Sequence, residues 1–269
     1  MGGTAQFDDW EVRESGPADA PHRVLLLPGG MCGTAFYDDM TAAPPLADAP
    51  IRLVAATVPG HAGTVAPEDV SMENYAALAG AFAVEHGCTV VVGHSVGANV
   101  ALEMAGGGHF AGPVVLLSPT FSRPDESTAL AVATALARIP GLGALTWPAM
   151  LWLTPKVLAD SMPERRREAL VADLRKNSAS FCRRAMAEYF AYLDRHGNLV
   201  PRLCGSGSRA WVVRGDRDEI GLTDAEHAAL VACPSVTLEV IPDSGHLVMV
   251  EQPEAVARLV AEVVLGPHH

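Results

Sequence analysis

Cysteine is scarce and unpatterned in this sequence. The five residues, Cys32, Cys88, Cys182, Cys204 and Cys233, include no Cys-x-x-Cys pair. An odd, scattered set argues against a disulfide framework and a zinc site, and fits reduced thiols in a cytoplasm. Positive charge is also short: 19 Lys and Arg stand against 31 Asp and Glu, a formal net charge of −12. Nucleic acids and anionic membranes both select a basic footprint, so no partner of either kind is expected. No apolar run reaches the roughly 18 residues of a membrane span. The first thirty residues lack a basic segment followed by an apolar stretch, so no secretory signal is expected and the expected location is cytoplasmic. There is no Gly-x-Gly-x-x-Gly unit and no phosphate loop, and the histidines do not fall at metal-ligand spacings. Neither a cofactor nor a metal is therefore expected. Internal repeats and long low-complexity tracts are also missing.

What is present is a large supply of core. Of 269 residues, 49% are hydrophobic and 19% charged, which suits a globular chain. Short apolar runs at 24–27, 51–55, 89–92 and 113–117 read as strands, the third β-branched and unbroken as in a strand buried on both faces. Helical patterns at 72–85, with Ser71 as N-cap, and at 96–104 separate them. Strands alternating with helices imply an α/β fold with a mostly parallel, doubly wound sheet. From about residue 120 to 203 no strand is legible; 128–139, 163–176 and 181–196 look helical, punctuated by Pro140, Pro148, Pro155 and Pro163. Strands resume at 209–214 and 236–241, and a last helix follows at 253–264 with Pro253 in its first turn. The expected division is a core of 1–120 and 204–269, interrupted by an inserted helical cap at 121–203.

The strongest chemical signal is Gly93-His94-Ser95-Val96-Gly97, a Gly-x-Ser-x-Gly unit between a strand and a helix. A serine on so sharp a turn needs small neighbours two residues away on either side. A serine hydroxyl is a weak nucleophile until a base takes its proton. His246, in Asp243-Ser244-Gly245-His246 after the last strand, is placed to be that base. Acid candidates follow the preceding strand in Arg214-Gly215-Asp216-Arg217-Asp218, with Asp125 a remote third.

With these motifs the chain resembles the α/β-hydrolase superfamily over nearly its whole length. The family's Gly-x-x-Asp acid turn falls on Gly215 and Asp218, so the resemblance implies a triad of Ser95, His246 and Asp218, with Asp216 second choice for the acid. It also implies two backbone oxyanion donors, one of them the N–H of Val96. The other belongs to Pro28-Gly29-Gly30-Met31-Cys32-Gly33-Thr34, where this chain departs from the family's His-Gly pair. One alignment gives the N–H of Met31; a shift of one residue gives Gly30. His94 and His61 are expected to support turns, and Cys32 lacks the context of a nucleophile. In the cap, Trp147, Met150, Leu151 and Trp152 form an apolar cluster expected mainly to pack on the core, with one or two lining a substrate pocket. Arg165, Arg166 and Arg167 read as a solvated helix face.

The implied activity is cleavage of an ester or related acyl bond in a small, apolar substrate through an acyl-enzyme. Alternatives on the same residues are a C–C bond hydrolase or lyase, a thioesterase, a lactonase, or a hydrolase-like protein that binds a small ligand.

Overall fold

The computed structural model describes residues 7, 9–126, 130, 132, 135–136 and 143–266. Among the described residues, seven strands make one sheet: β1 (Val12–Ser15), β2 (His22–Leu27), β3 (Ile51–Ala56), β4 (Val90–His94), β5 (Val114–Leu117), β6 (Ala210–Gly215) and β7 (Val236–Ile241). Their spatial order is β1-β3-β2-β4-β5-β6-β7. All neighbours run parallel except β1, which pairs antiparallel with β3.

The period of two along each strand divides its side chains between two apolar layers. Leu25 and Leu27 of β2, Val91 of β4 and Val114 and Leu116 of β5 face one layer. Val24 and Leu26, Val90 and Val92, and Val115 and Leu117 face the other. Register keeps each layer in line: Leu26 lies opposite Val92, and Val92 opposite Val115. That is why the central strands read as unbroken apolar runs.

Two helices flank the early strands, α1 (Met72–Glu85) and α2 (Val96–Gly106). The Ser71 hydroxyl caps α1 by accepting the N–H of Asn74 at 3.3 Å. Between β5 and β6 the described residues contain no strand. They form α3 (Gly143–Leu158), α4 (Glu164–Leu174), α5 (Ala179–His196) and α6 (Val200–Gly205). Helices α7 (Asp224–Val231) and α8 (Pro253–Leu265) complete the core, α8 starting on Pro253.

Several expectations need correction. Strand β1 was not legible because its side chains are mostly exposed and give no apolar signal. Pro148 and Pro155 lie inside α3 rather than ending a helix; its Trp147, Met150 and Leu151 pack against the core and hold the helix together despite them. Arg165 and Arg166 are not simply solvated: they pair with Asp39 and Asp38 at 3.1 and 2.8 Å, and Arg166 also donates to the carbonyl of Ala35. Cys204 and Cys233 are joined as a disulfide, so the chain does not carry five free thiols; only Cys32, Cys88 and Cys182 remain free, all buried. The cysteine spacing gave no hint, because the two meet only when α6 packs beside the end of α7. The helix expected at 128–139 lies mostly outside the described residues.

Candidate active site

Parallel strands bring their C-terminal ends to one edge, and the candidate residues follow those ends. Ser95 comes directly after β4, at φ 51° and ψ −119°, outside the ordinary regions for a residue with a side chain. Glycine on either side permits this turn. A Cβ on Gly93 would lie 2.2 Å from the carbonyl oxygen of Gly97, and one on Gly97 would lie 2.3 Å from that of Leu27. The N–H of Ser95 donates to Leu117 at 2.8 Å, tying the turn to β5.

His246 sits in the loop after β7. Its Nδ1 is 3.1 Å from Oδ1 of Asp218, whose side chain is completely buried. Burial acts to raise the Asp218 pKa, but the hydrogen bond and charge of His246, with help from Ser118 and the N–H of Ile220, outweigh it and hold the carboxyl below its ordinary value. Asp216 does a different job. Backbone N–H groups of Asp243 and Ser244 lower its pKa, and its Oδ1 accepts the Ser244 N–H at 3.1 Å, so it shapes the loop that carries His246. Asp125 makes other bonds, its carbonyl accepting the Gly221 N–H at 2.8 Å. It accepts the N–H groups of Phe121 and Ser122, and burial together with Glu226 raises its pKa to about 6.

Sequence reasoning missed the other supports of His246. Glu251 accepts the N–H groups of Gly245 and Leu247, at 2.9 and 3.1 Å, and so straddles the histidine. His94 donates from Nε2 to the His246 carbonyl at 2.8 Å, which fixes its tautomer. It is fully buried; desolvation, reinforced by His246, lowers its pKa to about 3, so it stays neutral. Only the Glu251 carboxylate, six residues beyond Gly245, could have been sought from sequence as a cap for the loop.

The loop after β2 lies against the serine turn. A Cβ on Gly29 would come within 2.7 Å of His94 Nδ1 and 3.3 Å of the Ser95 Cβ, and one on Gly30 within 3.1 Å of a Val96 methyl. Glycine at both positions lets the loop lie against the side chains of the serine turn. Met31 follows at φ 67°, and its N–H donates to Nδ1 of His61 at 2.9 Å. That N–H is therefore already committed, while the Gly30 backbone faces Val96. His61 is buried and burial lowers its pKa to about 4.

A cavity of about 760 Å³ opens beside this loop, between the 60–66 turn and α5. Trp147, Phe181, Gly60 and Ala66 give it an apolar wall, with Arg183 and Arg184 beside it. Neither Ser95 nor His246 lines it directly. It is linked to the loop after β2 through Phe181, which packs edge-on against His61 with ring centres 4.9 Å apart. Of the apolar cluster on α3, Trp147 reaches the cavity and Met150 and Leu151 pack half-buried on the core. Trp152 is 64% exposed, with the Lys156 ammonium over its ring. No group of three metal-ligating side chains occurs among the described residues, nor a helix long and apolar enough to cross a membrane.

A parallel sheet with a serine turn after its central strand and a histidine loop after its last is the framework of the α/β hydrolases. The chain belongs to that family: residues 24–259 match the alpha/beta hydrolase family. Among solved structures it is similar to Cfl2 from Burkholderia cenocepacia (21% identity, 95% of this chain and 92% of that one, TM-score 0.73). It is also similar to a thermophilic esterase from Thermogutta terrifontis (22%, 94% and 92%, TM-score 0.64). A third similar structure is AqDC, described as recognising and ring-cleaving the Pseudomonas quinolone signal (17%, 96% and 96%, TM-score 0.75). No curated protein matches the chain.

Proposed function

We propose that this hydrolase-family protein is a serine esterase acting on a small, largely apolar acyl substrate, with residues 121–203 serving as its cap. The observation that carries the reading is the His246 imidazole held at 3.1 Å by a fully buried Asp218, at the same sheet edge as a serine in a strained turn. Ser95 Oγ attacks the ester carbonyl carbon while Nε2 of His246 takes its proton. Asp218 holds Nδ1–H and stabilises the imidazolium without accepting the proton. The N–H groups of Val96 and Gly30 stabilise the oxyanion; Gly30 is preferred to Met31 because His61 already accepts the Met31 N–H. The tetrahedral adduct collapses, and the departing alkoxide takes the proton from His246. Water then attacks the acyl-enzyme with His246 again as base, releasing the acid and restoring Ser95. The apolar cavity beside Trp147 and Phe181 suits the hydrophobic part of such a substrate.

Fold and residue set leave the scissile bond to experiment. A panel of short and medium-chain aryl esters, thioesters, lactones and a β-diketone, with fluorophosphonate labelling, tests the reading. Ester turnover with label on Ser95 supports it. Turnover of the β-diketone alone would make the protein a C–C hydrolase. Tight ligand binding without turnover or label would make it a receptor.

A further inference from the structure

The oxyanion loop is not self-supporting. Met31, beside the proposed donor Gly30, is left-handed at φ 67°, and so is Ala62, beside His61, at φ 49°. Both are residues with side chains, so each conformation persists only where neighbours impose it. One side chain imposes both. Asn177, 9% exposed and just beyond α4, donates from Nδ2 to the Met31 carbonyl at 2.8 Å and accepts the Ala62 N–H on Oδ1 at 3.0 Å. A second bond from Nδ2 to the Leu174 carbonyl, 2.8 Å, fixes the amide to its own helix end. Two carbonyls on Nδ2 and an N–H on Oδ1 leave one sensible orientation for the amide.

The neighbouring contacts repeat the pattern. His61, held by the Ala62 turn, accepts the Met31 N–H, so both sides of Met31 are tied. Two residues on, Gly33 donates to Oδ2 of Asp173, another nearly buried side chain of α4, at 2.8 Å. A Cβ on Gly33 would lie 2.5 Å from that oxygen.

We infer that Asn177 is a positioning residue for acyl transfer: its amide clamps the Met31 and Ala62 turns together and thereby sets the direction of the Gly30 N–H. The helical segment then completes the reaction site as well as covering it. This rests on the esterase reading. Oxyanion stabilisation depends on donors preset at hydrogen-bond distance to a charge that exists only during reaction. Loosening the clamp should therefore reduce kcat and leave KM nearly unchanged.

The test uses the full chain with Asn177→Ala and Asn177→Asp. The aspartate keeps the acceptor for Ala62 but sets a carboxylate against two carbonyls. Removing a whole oxyanion donor costs about 10²–10³ in kcat, so displacing one should cost about tenfold or more, with KM within about threefold. Binding of a trifluoromethyl ketone, which forms a tetrahedral adduct on serine, should weaken in parallel with kcat, while product inhibition stays as in wild type. A merely structural role would not split the two. Should Asn177→Ala fail to fold, Asn177→Ser, short but able to keep one bond, carries the same test. Folded variants with wild-type kcat and ketone affinity would overturn the inference, as would equal losses in ketone and product affinity. Failure of the esterase reading looks different: wild type itself would neither hydrolyse esters nor label at Ser95.

Discussion

The strand ends and the helical segment between β5 and β6 are held by different physics. At the strand ends, apolar layers and glycines predominate: Leu27, Val92 and Leu117 are fully buried, and Gly93 and Gly97 permit contacts that no Cβ could survive. The helical segment shares the apolar layer of Leu25 and Val91 through Trp147, Phe181, Phe190 and Leu193, and adds polar ties to it. Arg202 makes two bonds of 2.5 Å to Glu103 on α2, which also accepts the Tyr192 hydroxyl at 2.9 Å. Arg195 pairs with Glu73 on α1. Apolar layers tolerate change by degrees, whereas a buried charge fails abruptly when its partner is removed. The candidate chemistry thus sits in the part with little freedom, and the helical segment adds to its apolar contacts bonds that can be cut singly.

The comparison can be tested by cutting on each side. The largest effect is expected at the strand end: Ser95→Ala should lower ester turnover by about 10⁴ or more, yet change stability by less than about 1 kcal/mol, because only a hydroxyl is lost. Ester kinetics beside a denaturation curve would check both halves. Next is the polar tie. Arg202→Ala leaves the Glu103 carboxylate, 2% exposed, without its cation and should cost about 3–5 kcal/mol of stability, while turnover per folded molecule stays near wild type. A urea titration alongside active-site titration separates the two; equal loss of specific activity and stability would contradict the division.

Third is the acid. Asp218→Asn should reduce turnover by about 10² or more, since the amide favours the wrong imidazole tautomer, and Asp216→Asn by less than tenfold. The reverse ranking would shift the acid by two residues. Fourth is the serine turn. Ser95→Gly should be about 1 kcal/mol more stable than Ser95→Ala, because glycine alone occupies φ 51° without strain.

The smallest effect concerns pH. Burial and Glu226 raise the Asp125 pKa to about 6, so between about pH 4 and 6 the folded chain retains a proton that the unfolded chain releases. Its contribution to stability is present below pH 4 and lost as pH rises through 6. Asp125→Asn, which mimics the protonated group, should therefore gain on wild type between pH 5 and pH 8 in thermal midpoint. A constant difference across that range would remove the shared proton from the account.

Strands β2 to β7 and the flanking helices were legible because their signals are local: alternation, β-branching, a serine cap. The serine turn was legible for the same reason, since Gly93, Ser95 and Gly97 stand within five residues of sequence, although the Gly97 contact is with Leu27. What escaped depends on distant partners. Edge strand β1 carries no apolar code of its own. The Cys204–Cys233 pairing and the Asn177 clamp join residues whose spacing carries no motif. The proposed preference for Gly30 over Met31 as donor rests on His61, thirty residues away, whose ring nitrogen takes the Met31 N–H.

Two buried histidines weaken this fold as the medium becomes more acidic. His94 and His61 have pKa values lowered by burial to about 3 and about 4, whereas in the unfolded chain each would bind a proton below about 6.5. Their contribution is complete above that value and declines as the medium is acidified towards their native values. Across the window each withheld proton weighs against the fold by about 1.4 kcal/mol per pH unit. Two rings whose work is to donate to a carbonyl and to receive an amide thus act jointly as an acid fuse, each drawing stability from the fold as the medium is acidified.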